Sequence, residues 1–218
     1  MEPKKFIAFE GIDKSGKSTQ IELLATHIKR RNKYQDVLLT REPTWRATHI
    51  RGMLERDEDP YSDSELISRL YVQDRSLHFR DQISPEIAQN SFVLTDRYAM
   101  STLAYQTAQG ESLEPLLQMH EDANIMGPEI TFLLTISPET FERRLNKSKE
   151  LREKFETREF VTEVQYQYDT LGNAATLNES PIDKRIKMLV GQVYKINGER
   201  PPEEVQEVVQ MIFEGHYP

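Results

Sequence analysis

Gly11 and Gly16 stand five residues apart in Gly11-Ile12-Asp13-Lys14-Ser15-Gly16, and Lys17, Ser18 and Thr19 follow at once. This matches G-x-x-x-x-G-K-[ST], with a strand-like run before it and a helical pattern after it. The glycines allow backbone N–H groups to turn inward around phosphate oxygens. Lys17 adds a point charge at the outer phosphates, and Ser18 supplies a hydroxyl suited to Mg²⁺. Residues Gly11 to Thr19 are therefore expected to bind a nucleoside triphosphate. Asp13 is unusual there, because a carboxylate repels triphosphate unless a cation or proton intervenes. It is either a loop aspartate facing solvent or a group working beside the transferred phosphate.

Further along the chain, Asp96 and Arg97 follow the apolar run Ser91 to Thr95. An arginine at a strand end can clamp phosphate through two hydrogen bonds and stabilise charge on a phosphoryl group in transfer. Asp96 can order Mg²⁺-bound water; the plainer alternative is a structural Asp–Arg pair. Tyr71 and Arg75 lie four apart on a helical pattern with Leu66, Ile67, Leu70 and Leu77, and so share a face. The ring can stack on a base while the guanidinium grips its edge; otherwise they are a core tyrosine beside a surface arginine. The cation-rich run Arg143 to Arg158 reads either as a phosphate-covering segment or as a solvated helix, since Glu150, Glu153 and Glu156 interleave. None of His27, His49, His78, His120 and His216 has metal-ligand or triad spacing, and all read as structural or surface.

The elements that must position these groups alternate. Lys5–Phe9, Val37–Thr40, Ser91–Thr95, Ile130–Ile136 and Val193–Ile196 are short, apolar and strand-like. Helical patterns lie between them. Ile21, Leu24, Ala25 and Ile28 mark one, closed by Lys29, Arg30 and Arg31, where cations suit the negative end of the helix dipole. Ser137-Pro138-Glu139 reads as a helix start, and Pro201-Pro202-Glu203-Glu204 opens a last helix. This alternation predicts an α/β fold with a five-stranded parallel sheet flanked by helices, its ligands at the C-terminal ends of the strands. The loop, Thr40-Arg41-Glu42-Pro43 and Asp96-Arg97-Tyr98 all fall at those ends.

The 218 residues suffice for one ample domain with a buried core. No apolar run reaches about 18 residues, so no membrane span is expected. The start of the chain lacks a signal-peptide core. The absence of cysteine excludes disulfides and thiolate-bound zinc and fits a cytoplasmic enzyme. A net charge of −8 argues against broad binding of nucleic acid or anionic membrane.

Phe9-Glu10-Gly11-x-Asp13-x-x-Gly16-Lys17-Ser18-Thr19-Gln20, Thr40-Arg41-Glu42-Pro43, Tyr71-x-x-x-Arg75 and Asp96-Arg97-Tyr98-x-x-Ser101-Thr102-x-Ala104-Tyr105-Gln106 resemble, in order, the segments of the thymidylate kinases. The resemblance covers about Lys5 to Leu171, together with the last strand and helix. It implies a single P-loop kinase domain with a short lid at about 146–158, ATP and Mg²⁺ as donor and cofactor, and thymidine monophosphate (dTMP) as acceptor. A homodimer is implied as well. The catalytic set it implies is Asp13, Lys17, Arg97, Lys149 and Arg152, with Ser18 and Asp96 toward the metal and Arg143 on the adenine of ATP. Its dTMP site is Asp13, Glu42, Pro43, Tyr71, Arg75, Arg97, Ser101, Thr102, Tyr105 and Gln106. Tyr105 resembles the ring that crowds a ribose 2′-hydroxyl. Arg97, Arg41 and Arg46 are the candidates for the acceptor phosphate.

The chain departs from the family pattern in three places. Thr44-Trp45-Arg46 replaces a Gly-Gly-Thr turn, Lys14-Ser15 replaces a small Gly-Ala pair, and the stretch Gly172–Gln192 is long and carries an extra helical pattern at Ile186, Leu189 and Val190. Three rival readings also remain: a deoxynucleoside kinase using Glu42 as base, a monophosphate kinase of other base choice, and a P-loop protein that binds without turnover.

Overall fold

The structure is a computed structural model that describes residues 3–56, 59–147, 155 and 157–218. In chain order the elements are β1 (Phe6–Glu10), α1 (Lys17–Arg31), β2 (Val37–Arg41), α2 (Thr48–Arg56) and α3 (Ser64–His78). A π-helical turn, Phe79–Ile83, leads to α4 (Ser84–Ala88). Then follow β3 (Phe92–Asp96), α5 (Ala99–Ala108), α6 (Leu113–Asp122), β4 (Ile130–Thr135), α7 (Pro138–Leu145), α8 (Arg158–Leu177), α9 (Pro181–Val190), β5 (Gln192–Asn197) and α10 (Pro202–His216).

The five strands form one parallel sheet in the order β2-β3-β1-β4-β5. The central β1 is buried along its whole length, as a strand covered on both faces must be. Its alternate side chains feed two cores. Phe6 and Ala8 join Val93 and Leu133 under α5, α8 and α9, whereas Ile7 and Phe9 join Leu94, Phe132 and Leu134 under α1 and α10. On α1 the expected stripe of Ile21, Leu24 and Ile28 is buried, and Ser137 caps α7 by accepting a hydrogen bond from Thr140 N at 3.2 Å. The long stretch after Gly172 becomes the end of α8 and then α9, which buries Ile186, Leu189 and Val190. Strand β3 runs one residue beyond the expected end, so Asp96 is its last member and Arg97 the first residue outside it.

Candidate active site

The phosphate loop, Arg41–Pro43 and Asp96–Arg97 hang on the C-terminal ends of β1, β2 and β3. After Glu10 the chain turns at Gly11, with φ at +133°, where a Cβ atom would lie 2.3 Å from the backbone oxygen of Leu134. Only glycine fits, because the obstacle is the neighbouring strand itself. Gly16, also left-handed, delivers the chain into α1. The first turn of α1 carries neither an acidic residue nor a side-chain cap, so its positive end is offered to an anion. Lys17 folds back over the loop, its Nζ donating to the carbonyls of Gly11 (3.2 Å) and Ile12 (3.0 Å) and lying 3.9 Å from Asp96 Oδ1. Burial, followed by repulsion from Arg97, pushes its pKa down. Ser18 Oγ donates to Asp96 Oδ2 at 2.9 Å, which sets a hydroxyl and a carboxylate side by side at the cleft.

Arg97 is the hub. It sits at φ +70°, a left-handed conformation uncommon outside glycine and a recurrent mark of functional sites. Its Nη2 donates to Asp13 Oδ1 (2.8 Å) and Tyr105 OH (3.0 Å), and its Nη1 to Gly11 O (3.1 Å) and Ser101 Oγ (3.1 Å). Burial alone would raise the Asp13 carboxyl. Arg97 foremost, with Lys17, more than offsets this and holds it at about 2. Beneath lies Glu10, fully buried, accepting from Tyr98 N (2.8 Å), Ser101 N (3.1 Å), Ser101 Oγ (2.5 Å) and Tyr168 OH (3.1 Å). Glu10 thus caps the start of α5 from a distant strand and fixes the turn that carries Arg97.

On the far side of Arg97, Glu42 and Arg75 form a fully buried pair, Nε to Oε2 at 2.7 Å. The other Glu42 oxygen meets His78 Nδ1 at 2.9 Å. Arg75 also donates from Nη2 to Tyr98 O (3.0 Å) and Thr102 Oγ1 (2.9 Å), and from Nη1 to His120 Nε2 (2.7 Å). The acceptor at His120 Nδ1 is the carbonyl of Leu116 at 2.7 Å, so Nδ1 carries the proton and Nε2 receives one from Arg75. Burial, with Arg75 beside it, holds this ring neutral, its pKa lowered to about 3. Glu42 was expected among the dTMP contacts. It lines the cleft, with one oxygen held by Arg75 and the other by His78. Tyr71, Arg75, Thr102, Tyr105 and Gln106 line one end of a continuous cleft of about 1450 Å³, and the loop from Asp13 to Thr19 lines the other.

A sequence model of thymidylate kinase matches residues 9–193. The chain belongs to the thymidylate kinase family. It is 37% identical over 199 residues to the thymidylate kinase of Prochlorococcus marinus strain NATL1A, covering 85% of this chain and 92% of that one. It is 34% identical over 176 residues to a probable thymidylate kinase of Pyrobaculum calidifontis, covering 78% and 83%. Among solved structures, thymidylate kinase from Ehrlichia chaffeensis superposes with a TM-score of 0.69 at 26% identity, over 97% of this chain and 99% of that one.

Against the thymidylate kinase pattern, the Thr44-Trp45-Arg46 departure is built rather than loose. Asp74 takes both Thr44 N (2.7 Å) and Thr44 Oγ1 (2.5 Å). Arg46 turns away to Asp81 at 2.9 Å, with Trp45 packed on it, and neither lines the cleft. The expectation of Arg46 at the acceptor phosphate is corrected accordingly. Arg51 takes that wall beside Arg41, its Nη2 donating to Thr44 O at 2.9 Å. The sequence did carry a signal for Arg51: it follows Ile50, which with Leu54 forms the buried stripe of α2.

At the donor end, Arg143 was expected on adenine. Its Nη2 donates to Thr140 Oγ1 at 3.1 Å and it does not line the cleft, whereas Arg144 joins the P-loop to the last loop, reaching Lys14 O and Gly198 O, each at 2.8 Å. The register of α7 decides this, since it buries Phe141 and Leu145 and sets Arg144 against the loop. A Cβ at Gly198 would meet Ser15 O at 2.6 Å, so this glycine allows the last loop to close on the cradle. Lys149 and Arg152 lie outside the described residues. Phe155 is buried against Phe160 and Tyr105 and lines the cleft.

Proposed function

We infer that the chain is an ATP-dependent thymidylate kinase, which transfers the γ-phosphate of ATP to dTMP and yields dTDP and ADP. One observation carries the reading. A single cleft holds a phosphate cradle at one end and a base-sized polar wall at the other, with Arg97 and Asp13 between them. Its volume of about 1450 Å³ exceeds the roughly 300–1,000 Å³ of ordinary small-ligand pockets and leaves room for two nucleotides.

An oxygen of the dTMP monoester attacks the γ-phosphorus while the bond from that phosphorus to the β,γ-bridging oxygen breaks. The monoester is already anionic near neutrality, so alignment and charge cancellation suffice. Lys17 and Arg97 neutralise the phosphoryl oxygens in flight. Asp13 orients Arg97 and keeps its charge through the physiological range. Ser18 and Asp96 would hold Mg²⁺, an oxygen pair of the kind that this ion takes when phosphates and water complete its shell. Among the described residues no group of three or more His, Asp and Glu side chains forms a metal cage, which fits that sharing. Bound there, Mg²⁺ would screen the β- and γ-phosphates. A base at Glu42, needed for a sugar hydroxyl acceptor, is disfavoured because both its oxygens are engaged. The base wall offers an Arg75 N–H and the unpartnered Gln106 Oε1, the complement of thymine O4 and N3–H.

The segment at about 146–158, with Lys149 and Arg152, is read as the lid over the triphosphate. The enzyme is read as a cytoplasmic homodimer. No helix among the described residues is long and apolar enough to cross a membrane. The test is ADP release with ATP and a panel of dTMP, dUMP, dCMP, dGMP, AMP, UMP and thymidine. dTMP is expected to lead and thymidine to be inert. Turnover of thymidine would overturn the acceptor assignment, and equal rates for all monophosphates would overturn the base assignment.

A further inference from the structure

Gln106 and Gln109 stand one turn apart at the end of α5, and they divide their roles. Gln106 is fully buried and lines the cleft; Gln109, 8% exposed, lies behind it and off the cleft. Gln106 Nε2 donates to Gln109 Oε1 at 2.8 Å, while Gln106 Oε1 has no partner. Gln109 Nε2 donates in turn to the backbone carbonyls of Pro60 (2.6 Å) and Ser62 (3.4 Å), in the loop before α3.

A carboxamide is nearly symmetric in shape but not in polarity. Turned by 180°, it fills the same space and exchanges acceptor for donor. Gln106 alone could therefore offer the cleft either its oxygen or its NH₂. The chain of bonds removes that freedom. Two backbone carbonyls only accept, so the NH₂ of Gln109 must face them. Its oxygen then faces Gln106, whose NH₂ must answer it, and the Gln106 oxygen is left for the cleft. We propose that Gln109 is a specificity-determining positioning residue, which fixes the polarity that Gln106 presents to the acceptor base. This rests on the reading of Gln106 as a base contact. Thymine offers N3–H to that oxygen. Cytosine offers a bare N3, so two acceptors would meet with no proton between them, a loss larger than a merely absent hydrogen bond. Without Gln109 the amide turns and accommodates cytosine.

The experiment compares kcat/KM for dTMP and dCMP, with ATP saturating, in the parent, Gln109→Met, Gln109→Glu and Gln106→Met, each checked by thermal melting. Gln109→Met keeps shape and loses the lock. It is expected to lower the dTMP/dCMP ratio about tenfold, through KM for the monophosphates and with KM for ATP unchanged. Gln109→Glu keeps an acceptor toward Gln106 but loses the NH₂ that faces the Pro60 and Ser62 carbonyls, so it is expected to lower the melting temperature while keeping more of the ratio than Gln109→Met. Gln109→Lys, a donor toward Gln106, should turn the amide outright and lower the ratio further; it also serves if Gln109→Met fails to fold. An unchanged ratio in Gln109→Met, or equal loss on both substrates, overturns the proposal while Gln106→Met still collapses the ratio. An unchanged ratio in Gln106→Met would instead overturn the reading of Gln106 as a base contact, and this proposal with it.

Discussion

The two ends of the cleft solve different problems by different means. The phosphate end works with full charges and backbone: a helix start, the ammonium of Lys17, and Arg97 paired with Asp13. Its parts are redundant in kind, but each faces the reacting atoms. The base end works with one buried ion pair, Arg75 with Glu42, and with neutral groups whose orientation is inherited. Leu116 O fixes His120, which receives a bond from Arg75; Pro60 O fixes Gln109, which orients Gln106. Charge is enough to hold a phosphate, but telling one pyrimidine from another needs the polarity of single atoms, and polarity must be anchored to groups that cannot turn. The comparison implies that damage at the first end costs rate, while damage at the second costs choice.

The largest effect is expected at the phosphate end. Lys17→Ala and Arg97→Ala should each lower kcat about 10³-fold, since each removes a charge that faces the phosphoryl group in transfer. Steady-state ADP release measures this, and circular dichroism should find both variants folded. The dTMP/dCMP ratio should stay within about twofold of the parent in both. A variant of Arg97 with near-normal turnover would end its role as clamp, and a collapsed ratio would mean the two ends are not separable.

Next in size is Glu42→Ala, which breaks the buried pair behind the base end. It leaves the buried Arg75 charge without its carboxylate, a change that costs roughly 3–5 kcal/mol when a buried pair loses one member. For a chain of this size the melting temperature should fall by on the order of 10 °C. KM for dTMP should rise more than KM for ATP. Retained stability would show that His120, Tyr98 and Thr102 satisfy Arg75 without Glu42.

The same contrast explains what could be read from the sequence. The cradle is contiguous, so Gly11, Gly16, Lys17 and Ser18 declare their chemistry by spacing, and the strand–helix alternation gives the sheet. Arg97 could be read as a phosphate-binding group, but its dependence on Glu10 crosses from β1 to α5 and leaves no local pattern. Arg46 and Arg143 were legible as cations but not in direction, because Asp81 and the register of α7 decide where each arginine goes. His120 reads from the sequence as structural or surface, and Gln109 belongs to no motif there. Gln109 takes its meaning from the carbonyl of Pro60, 49 residues away, and His120 from Arg75, 45 residues away, and no periodicity encodes either.

The smallest effect separates the ends by pH. The phosphate end should follow the substrate: the monoester of dTMP gains a proton near pH 6, so kcat/KM should fall below that for dTMP and dCMP alike. The base end should be flat. His120 stays neutral down to about pH 3 and Asp13 stays charged down to about 2, so neither titrates between pH 5 and 9. The ratio of the two substrates is therefore expected to be constant over that range, and a step near pH 6.5 would mean that His120 takes up a proton beside Arg75. Stability should show the ring where activity does not. The unfolded chain protonates His120 below its ordinary pKa of about 6.5, whereas the folded chain refuses the proton until about 3. Stability thus falls as pH drops through that window, by up to roughly 1.4 kcal/mol per unit from this group. His120→Asn removes the proton site but keeps an acceptor for Arg75, and its melting temperature should decline less steeply than the parent's between pH 6 and 4. Parallel curves would show that His120 is not held neutral, and the case for a base end whose charge is fixed over this range would lose its anchor on the Arg75 side.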